Sequence, residues 1–438
     1  MQALLSFDQA PPFAAPFRFF LTAPVFGVLA GVLLLASGPA ALASRWTPAV
    51  LAVTHLITVG FMLQAMLGAL LQILPVVAGA NMLRPLLVAR LVHASLLCGA
   101  CLLAGGLLVQ HTVALLAAAT LLAGGLLIFL TAATHALYAV PTTSPTIRGI
   151  KLALSGLGVT TILGLLLVYA LTGEGSNQLP FLSLTAVHLA WGLLGWGLVL
   201  LSAVAFVVVP MFQLTPPYHE RFAQAFPPAV VGLLALWTLV ELNDWANVSL
   251  LSAGLLLAAA GAFAGLTLRL QRLSKRPRLD ATQHCWRVAM LSTLAAAILW
   301  LLANSSAQFG DDNRWALVSG VLVLGGGFMT AIVGMLYKIA PFLVWLHLQN
   351  HGAGRVLAPN MNKVIPLVHI ERQTLAHFVS LLLLLAAAVW PPGFAYPAGL
   401  ALVVANAWLL HNLVLAVRFY RRHRQAIDAT RGTPAAQR

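Results

Sequence analysis

Twelve apolar stretches, each about as long as a bilayer is thick, recur along this chain, and they leave little choice of architecture. Roughly 20 consecutive apolar residues span the hydrocarbon core as a helix. Backbone amides in lipid must find their hydrogen bonds within the protein, so long apolar runs fold as helices. The runs fall at about 18–37, 49–77, 86–109, 112–140, 149–172, 182–210, 226–241, 246–268, 286–303, 315–346, 374–390 and 395–417. The predicted fold class is all-α: a polytopic membrane protein of twelve transmembrane helices, one domain over residues 1–425 with a polar tail over 426–438. No segment is long enough for a separate soluble domain; the longest predicted loop is about residues 347–373.

Charge distribution sets the expected orientation. Of 24 Lys and Arg, only Arg45 and Arg314 fall in loops after odd-numbered helices. The others lie at the N-terminus, near loops after even-numbered helices, or in the tail, as in the clusters Arg272, Lys275, Arg276, Arg278 and Arg418, Arg421, Arg422, Arg424. By the positive-inside rule both termini are cytoplasmic, in a bacterial-type inner membrane. Glu174, Glu241, Asp244, Asp311 and Asp312 fall on the opposite side. The net charge of +14 is therefore a topology signal near anionic lipid and gives no reason to expect nucleic acid. The N-terminal segment does not read as a cleavable signal. Its Phe13, Phe17, Phe19 and Phe20 are expected at the membrane interface, and the chain beyond about residue 425 is expected to be disordered. Cys98 and Cys101 are three apart in an apolar helix and read as small packing residues; Cys285 stands alone, so no disulfide framework is expected.

Three of the twelve runs share an internal spacing. They end in Pro75, Pro210 and Pro341. Gly60, Gly195 and Gly326 lie fifteen residues before each proline; Gly68, Ala203 and Gly334 lie seven before. Small residues allow close helix approach, and a repeated spacing in helices 2, 6 and 10 points to a triplicated four-helix unit. The three arcs would comprise about 18–77 with 374–420, then 86–210, then 226–346. Helices 2, 6 and 10 would be their inner members, each proline freeing a carbonyl and turning the chain out of the bilayer. His55 and His188 begin helices 2 and 6.

This pattern resembles the catalytic subunit of the heme-copper oxidase and nitric-oxide reductase superfamily. The residues that carry the likeness are His55 followed by Gly68-ALLQIL-Pro75 in helix 2, and Val187-His188-Leu189-Ala190-Trp191 in helix 6. The resemblance implies twelve helices in three arcs, termini inside and hemes in the outer half of the membrane. It also implies His55 as an axial ligand of a b-type heme and His188 as a copper ligand. Two departures limit it. The seventh run, FPPAVVGLLALWTLVEL, has no histidine where the family has a copper-binding pair, and the outer half of the tenth has none where the family binds both hemes. One imidazole of three remains for copper and none for a high-spin heme, so a reducing centre and bound copper are not expected. Met62 and Met66 share a helix with His55 and cannot sit opposite it, and Met329 lies deeper.

The plainer reading of His55 and His188 is an imidazole satisfying a carbonyl between helices. His93, His111 and His135 read as interfacial. His347 and His351 share a helix face at i, i+4; with His369, His377 and His219-Glu220 they outline a cytoplasmic metal site that lacks a defined third ligand. Lys338 is expected to snorkel. The leading expectation is a heme-copper-oxidase-like membrane protein of respiratory or nitric-oxide physiology, heme-binding but more scaffold than enzyme. Its acidic outer face could dock an electron carrier. The competing class is a transporter or channel for a small solute or metal, against which stands the lack of a carboxylate in the middle of any run. Oligomeric state is not legible.

Overall fold

The computed structural model describes residues 9–138, 140–141, 144–173, 179–276, 280–305, 312–352 and 357–432. Among them there is no strand, and twelve helices are long and apolar enough to cross a membrane. They are α1 (Ala14–Ala43), α2 (Pro48–Ala78), α3 (Pro85–Val109), α4 (Thr112–Tyr138), α5 (Pro145–Leu171), α6 (Phe181–Gln213), α7 (Glu220–Leu242), α8 (Ala246–Arg272), α9 (Ala281–Ser305), α10 (Asn313–Gly352), α11 (Leu367–Val389) and α12 (Pro391–Ala429). The chain is a multi-pass membrane protein. Side-chain oxygens cap several entries: Thr47 for α2, Ser144 for α5 and Asp312 for α10.

Neighbours in sequence are mostly neighbours in space, and α12 returns to pack on α1. The inner helices α2 and α10 touch at Leu56–Leu63 against Val321–Met329 and again in the stretches that follow, and Gly197 of α6 faces the ring of Phe328 of α10. These three helices share a local distortion. Each widens to π geometry, at Leu56–Leu63 in α2, Trp191–Leu198 in α6 and Val321–Met329 in α10. Each π segment ends twelve residues before its proline and contains the glycine that lies fifteen before it. Such segments are rare and concentrate at functional positions.

Helix contacts repeat in the same register. A Cβ on Gly60 would strike Phe26 of α1; one on Gly326 would lie 2.7 Å from Ser292 Cβ of α9; Gly195 approaches Gly156 of α5 backbone to backbone. Two turns further on, Gly68 meets Phe19, Ala203 meets Gly149 and Gly334 meets Cys285. In each partner helix the two contact residues are seven apart: Phe19 and Phe26, Gly149 and Gly156, Cys285 and Ser292. Thr146 donates to the Ala203 carbonyl at 3.0 Å, and Thr282 to the Gly334 carbonyl at 3.1 Å.

Several expectations change. The helices run past their prolines: α2 to Ala78, close to the expected 77, α6 to Gln213 rather than 210, and α10 to Gly352 rather than 346. Helix α7 begins at Glu220, earlier than its apolar run, with Pro227 and Pro228 inside it; the Gln224 carbonyl freed by Pro228 accepts from Arg148. The aromatic residues Phe17, Phe19 and Phe20 are buried core, the latter two filling the space beside Gly68. Helix continues through Gly432, so residues 426–432 are not disordered: Ile427 finds apolar cover, and Asp428 pairs with His351 at 2.6 Å. Cys98 and Cys101 face outward from α3 rather than into the packing, since Leu96, Gly99 and Ala100 occupy the inward face.

Candidate functional site

The inner helices are buried unevenly. Past their π segments they are closed on nearly all sides, as at Leu67, Leu70, Ala203, Ala205, Ala331 and Val333. Their N-terminal halves are more open. Thr54, His55, Thr58 and Val59 on α2, Thr185, Ala186, His188 and Gly192 on α6, and residues 318–324 on α10 are all partly accessible. The two candidate ligands lie in this looser half, at the entry to two of the π segments.

His55 Nδ1 lies 2.8 Å from the carbonyl of Leu51, one turn back on α2. His188 Nδ1 lies 3.1 Å from the Thr160 carbonyl of α5. A carbonyl oxygen only accepts, so in both rings Nδ1 carries the proton and Nε2 presents its lone pair. Neither Nε2 has a hydrogen bond among the described residues. Such an arrangement, with one ring nitrogen tied to a carbonyl, is how histidines are oriented when the other nitrogen coordinates iron or another metal. Gly164 makes room for His188: a Cβ there would lie 3.2 Å from the ring Cε1.

The walls are apolar. Val59, one turn after His55, packs on a cluster of Leu103, Leu115, Ala118 and Val168 from α3, α4 and α5. Val168 follows Gly164 by one turn of α5, so both histidines border the same group of helices. Among the described residues no group of three His, Cys, Asp or Glu side chains converges in a metal-binding arrangement. An unbonded Nε2 beside apolar walls is the donor and the setting that an axial heme bond uses.

The remaining histidines have other partners. His377 of α11, assigned above to the cytoplasmic cluster, is buried against the middle of α10. Thr330 donates to the Gly325 carbonyl at 2.8 Å, so His377 Nε2 donates to Thr330 Oγ1, also at 2.8 Å. That bond closes the π segment of α10, where an i−5 carbonyl accepts the threonine. His347 sits edge-on to Phe13 and Tyr420, and His351 pairs with Asp428, so the i, i+4 pair serves two separate packing contacts. His93 donates to Thr22 of α1, and His111 caps α4 through Ala114 N–H. Trp191 donates to Thr238 of α7 at 2.9 Å.

Sequence reasoning missed one ionic site. Asp280, at the entry to α9, binds Lys338 of α10 at 2.7 Å and Arg276 at 2.6 Å. Burial alone would raise its carboxyl pKa; Lys338, the Gln283 backbone N–H and Arg276 outweigh burial and hold it below the ordinary value of 3.8. Lys338 is thus a paired cation, not a snorkelling one. The only available clue was a lone aspartate beside a basic cluster. Gln64 and Gln72 of α2, expected to bond to neighbouring helices, are buried without a protein partner among the described residues.

No protein-family model matches this chain, and no curated protein matches it either.

Proposed function

We propose that this protein is a divergent relative of the heme-copper oxidase and nitric-oxide reductase catalytic subunit, holding a b-type heme through His55 and lacking a reducing centre. The observation that carries the reading is the state of the His55 ring. Its Nδ1 proton is fixed on the Leu51 carbonyl, its Nε2 is unbonded, and it stands on an inner helix at the partly open start of a π segment. A heme bound there would supply a one-electron redox centre. The chain's own residues would orient the ligand through Leu51, wall the macrocycle with Val59 and the Leu103, Leu115 and Val168 cluster, and exclude water below the π segments. The contacts repeated at α1–α2, α5–α6 and α9–α10 support an arrangement in three arcs.

The lysine and arginine bias supports placing both termini in the cytoplasm and this site in the outer half of an inner membrane. An electron-carrier protein docking on the acidic outer face would then reach it, in respiratory or nitric-oxide-related physiology. Transport of a small solute or metal has less support. The buried polar groups are amides, hydroxyls and an imidazole, with no carboxylate among those described.

The test is the reduced-minus-oxidised spectrum of the purified protein, with heme and metal content per chain. The expected result is one b-type heme, lost in His55→Ala while the chain still folds. A wild-type protein without heme, together with a His55→Ala variant that differs only in thermal stability, would make His55 a structural residue and end the proposal.

A further inference from the structure

Helices α11 and α12 pack against each other, and side-chain bonds fix their register. Gln373 of α11 donates to the Ala405 carbonyl of α12 at 3.0 Å, and Asn412 of α12 donates to the His369 carbonyl of α11 at 3.3 Å. Residues near 372 on α11 are therefore level with residues near 408 on α12. The face that this pair turns away from the bundle carries a groove of about 580 Å³. Half-buried Ala376 and Ala401 leave it open between larger, exposed neighbours such as Val379 and Val404.

The groove is polar at one end and apolar over the rest. Arg372 and Trp408 stand at one end, Leu383 and Pro397 at the other. Among the described residues Arg372 has no ion pair and no hydrogen bond, and the indole N–H of Trp408 has no acceptor. Glu371 is next to Arg372 in the chain, but successive residues of a helix do not face each other, and no bond joins the two. Eleven residues separate Arg372 from Leu383, and eleven separate Trp408 from Pro397. Eleven residues make about 16 Å of helix. That is about half the thickness of the hydrocarbon core.

We propose that this groove binds one anionic phospholipid, its phosphate on Arg372 and one acyl chain laid over Ala376 and Ala401 toward Leu383 and Pro397. The inference is independent of the heme reading. Charge and length carry it together. A guanidinium offers a phosphodiester two parallel N–H donors, and this one is free to do so. An indole sits well at headgroup level, with an apolar body and a polar edge. The apolar remainder has the length of one leaflet, which suits an acyl chain. A transmembrane helix from another chain would call for a groove through both leaflets. A lipid held there would brace α11, whose inward face carries His377 and its bond to the π segment of α10.

The experiment uses the full chain in mild detergent, equilibrated with equimolar phosphatidylglycerol and phosphatidylcholine of matched acyl chains. Native mass spectrometry reads the lipid retained, and thermal unfolding is followed with each lipid alone. The wild type is expected to keep one phosphatidylglycerol and to melt higher with it than with phosphatidylcholine. Arg372→Gln should lose about five-fold of the headgroup preference, the effect of one cation near a lipid surface. Val379→Trp fills the groove and should lose the retained lipid of either kind. Arg424→Gln removes a charge from the basic C-terminal stretch and should match wild type, which separates a site on Arg372 from a response to net charge. Equal retention of the two lipids by wild type, an unchanged preference in Arg372→Gln, or lipid still held by Val379→Trp overturns the proposal. A lipid-free dimer that Val379→Trp splits into monomers also overturns it, because a second copy then occupies the groove.

Discussion

Gly156 should be among the positions in this chain least tolerant of an added methyl group, and its neighbour Gly158 supplies the control. A Cβ at Gly156 would meet the backbone of α6: the Gly195 carbonyl carbon at 2.5 Å and the Trp196 nitrogen at 3.0 Å. Backbone atoms cannot rotate aside, so Gly156→Ala must push α5 away from the π segment. Overpacking of this kind costs about 1–3 kcal/mol. Alanine in mid-helix recovers roughly 0.5–1 kcal/mol over glycine. Gly158 lies two residues along the same helix, where a Cβ meets only Leu130 Cδ1 at 3.9 Å. Gly158→Ala therefore keeps the helical gain without the collision. The helical term is common to both variants, so their difference isolates the collision at about 1–3 kcal/mol. Thermal unfolding of both in one detergent, followed by tryptophan fluorescence, measures it. If Gly156→Ala melts at or above Gly158→Ala, the close approach of α5 to the π segment of α6 is wrong.

Lys338→Met should destabilise by about 1–3 kcal/mol, between the values for exposed and buried pairs, because Asp280 loses one of its two cations and keeps Arg276. The folded-state pKa of Asp280 is depressed, so its stabilisation is present above the ordinary pKa of 3.8 and is lost as pH falls through the lower folded value. Wild type should accordingly lose melting temperature on acidification below about pH 4 more steeply than Asp280→Asn, and parallel slopes would refute the linkage. Thr330→Val strips both the Gly325 carbonyl and His377 of a partner, at about 1–3 kcal/mol each, while Thr330→Ser should be near neutral; equal melting of the two would remove the closing role given to the hydroxyl. Gln64→Leu replaces a fully buried amide that has no protein partner among the described residues, so it should be neutral or stabilising by about 1 kcal/mol; a large loss would show a partner for that amide.

The candidate site was half legible in the sequence. His55 and His188 stand out because an imidazole inside an apolar run is costly and uncommon, and the glycine and proline spacing marks their helices as related. The tautomers were not legible, nor the close approach of Gly164 to the His188 ring. His377 shows the same limit from the other side. Its sequence position suggested the company of His347 and His351, yet it is bound to Thr330, 17 residues before His347 on the same helix. Asp280 and Lys338, 58 residues apart, form an ion pair that no local pattern announces.

What the sequence determined by itself is the number and length of the spans, and their helical state. Lipid offers the backbone no hydrogen bonds, so every long apolar run has one outcome whatever surrounds it. Tertiary structure decided which face of each helix meets protein. A membrane helix that is apolar on all sides carries no stripe to mark its buried face, and so Cys98 and Cys101 read as packing residues yet face outward. Tertiary structure also decided the π segments. Glycine permits a widened turn without requiring one, and it is the close approach of Phe26, Gly156 and Ser292 from neighbouring helices that selects it at Gly60, Gly195 and Gly326.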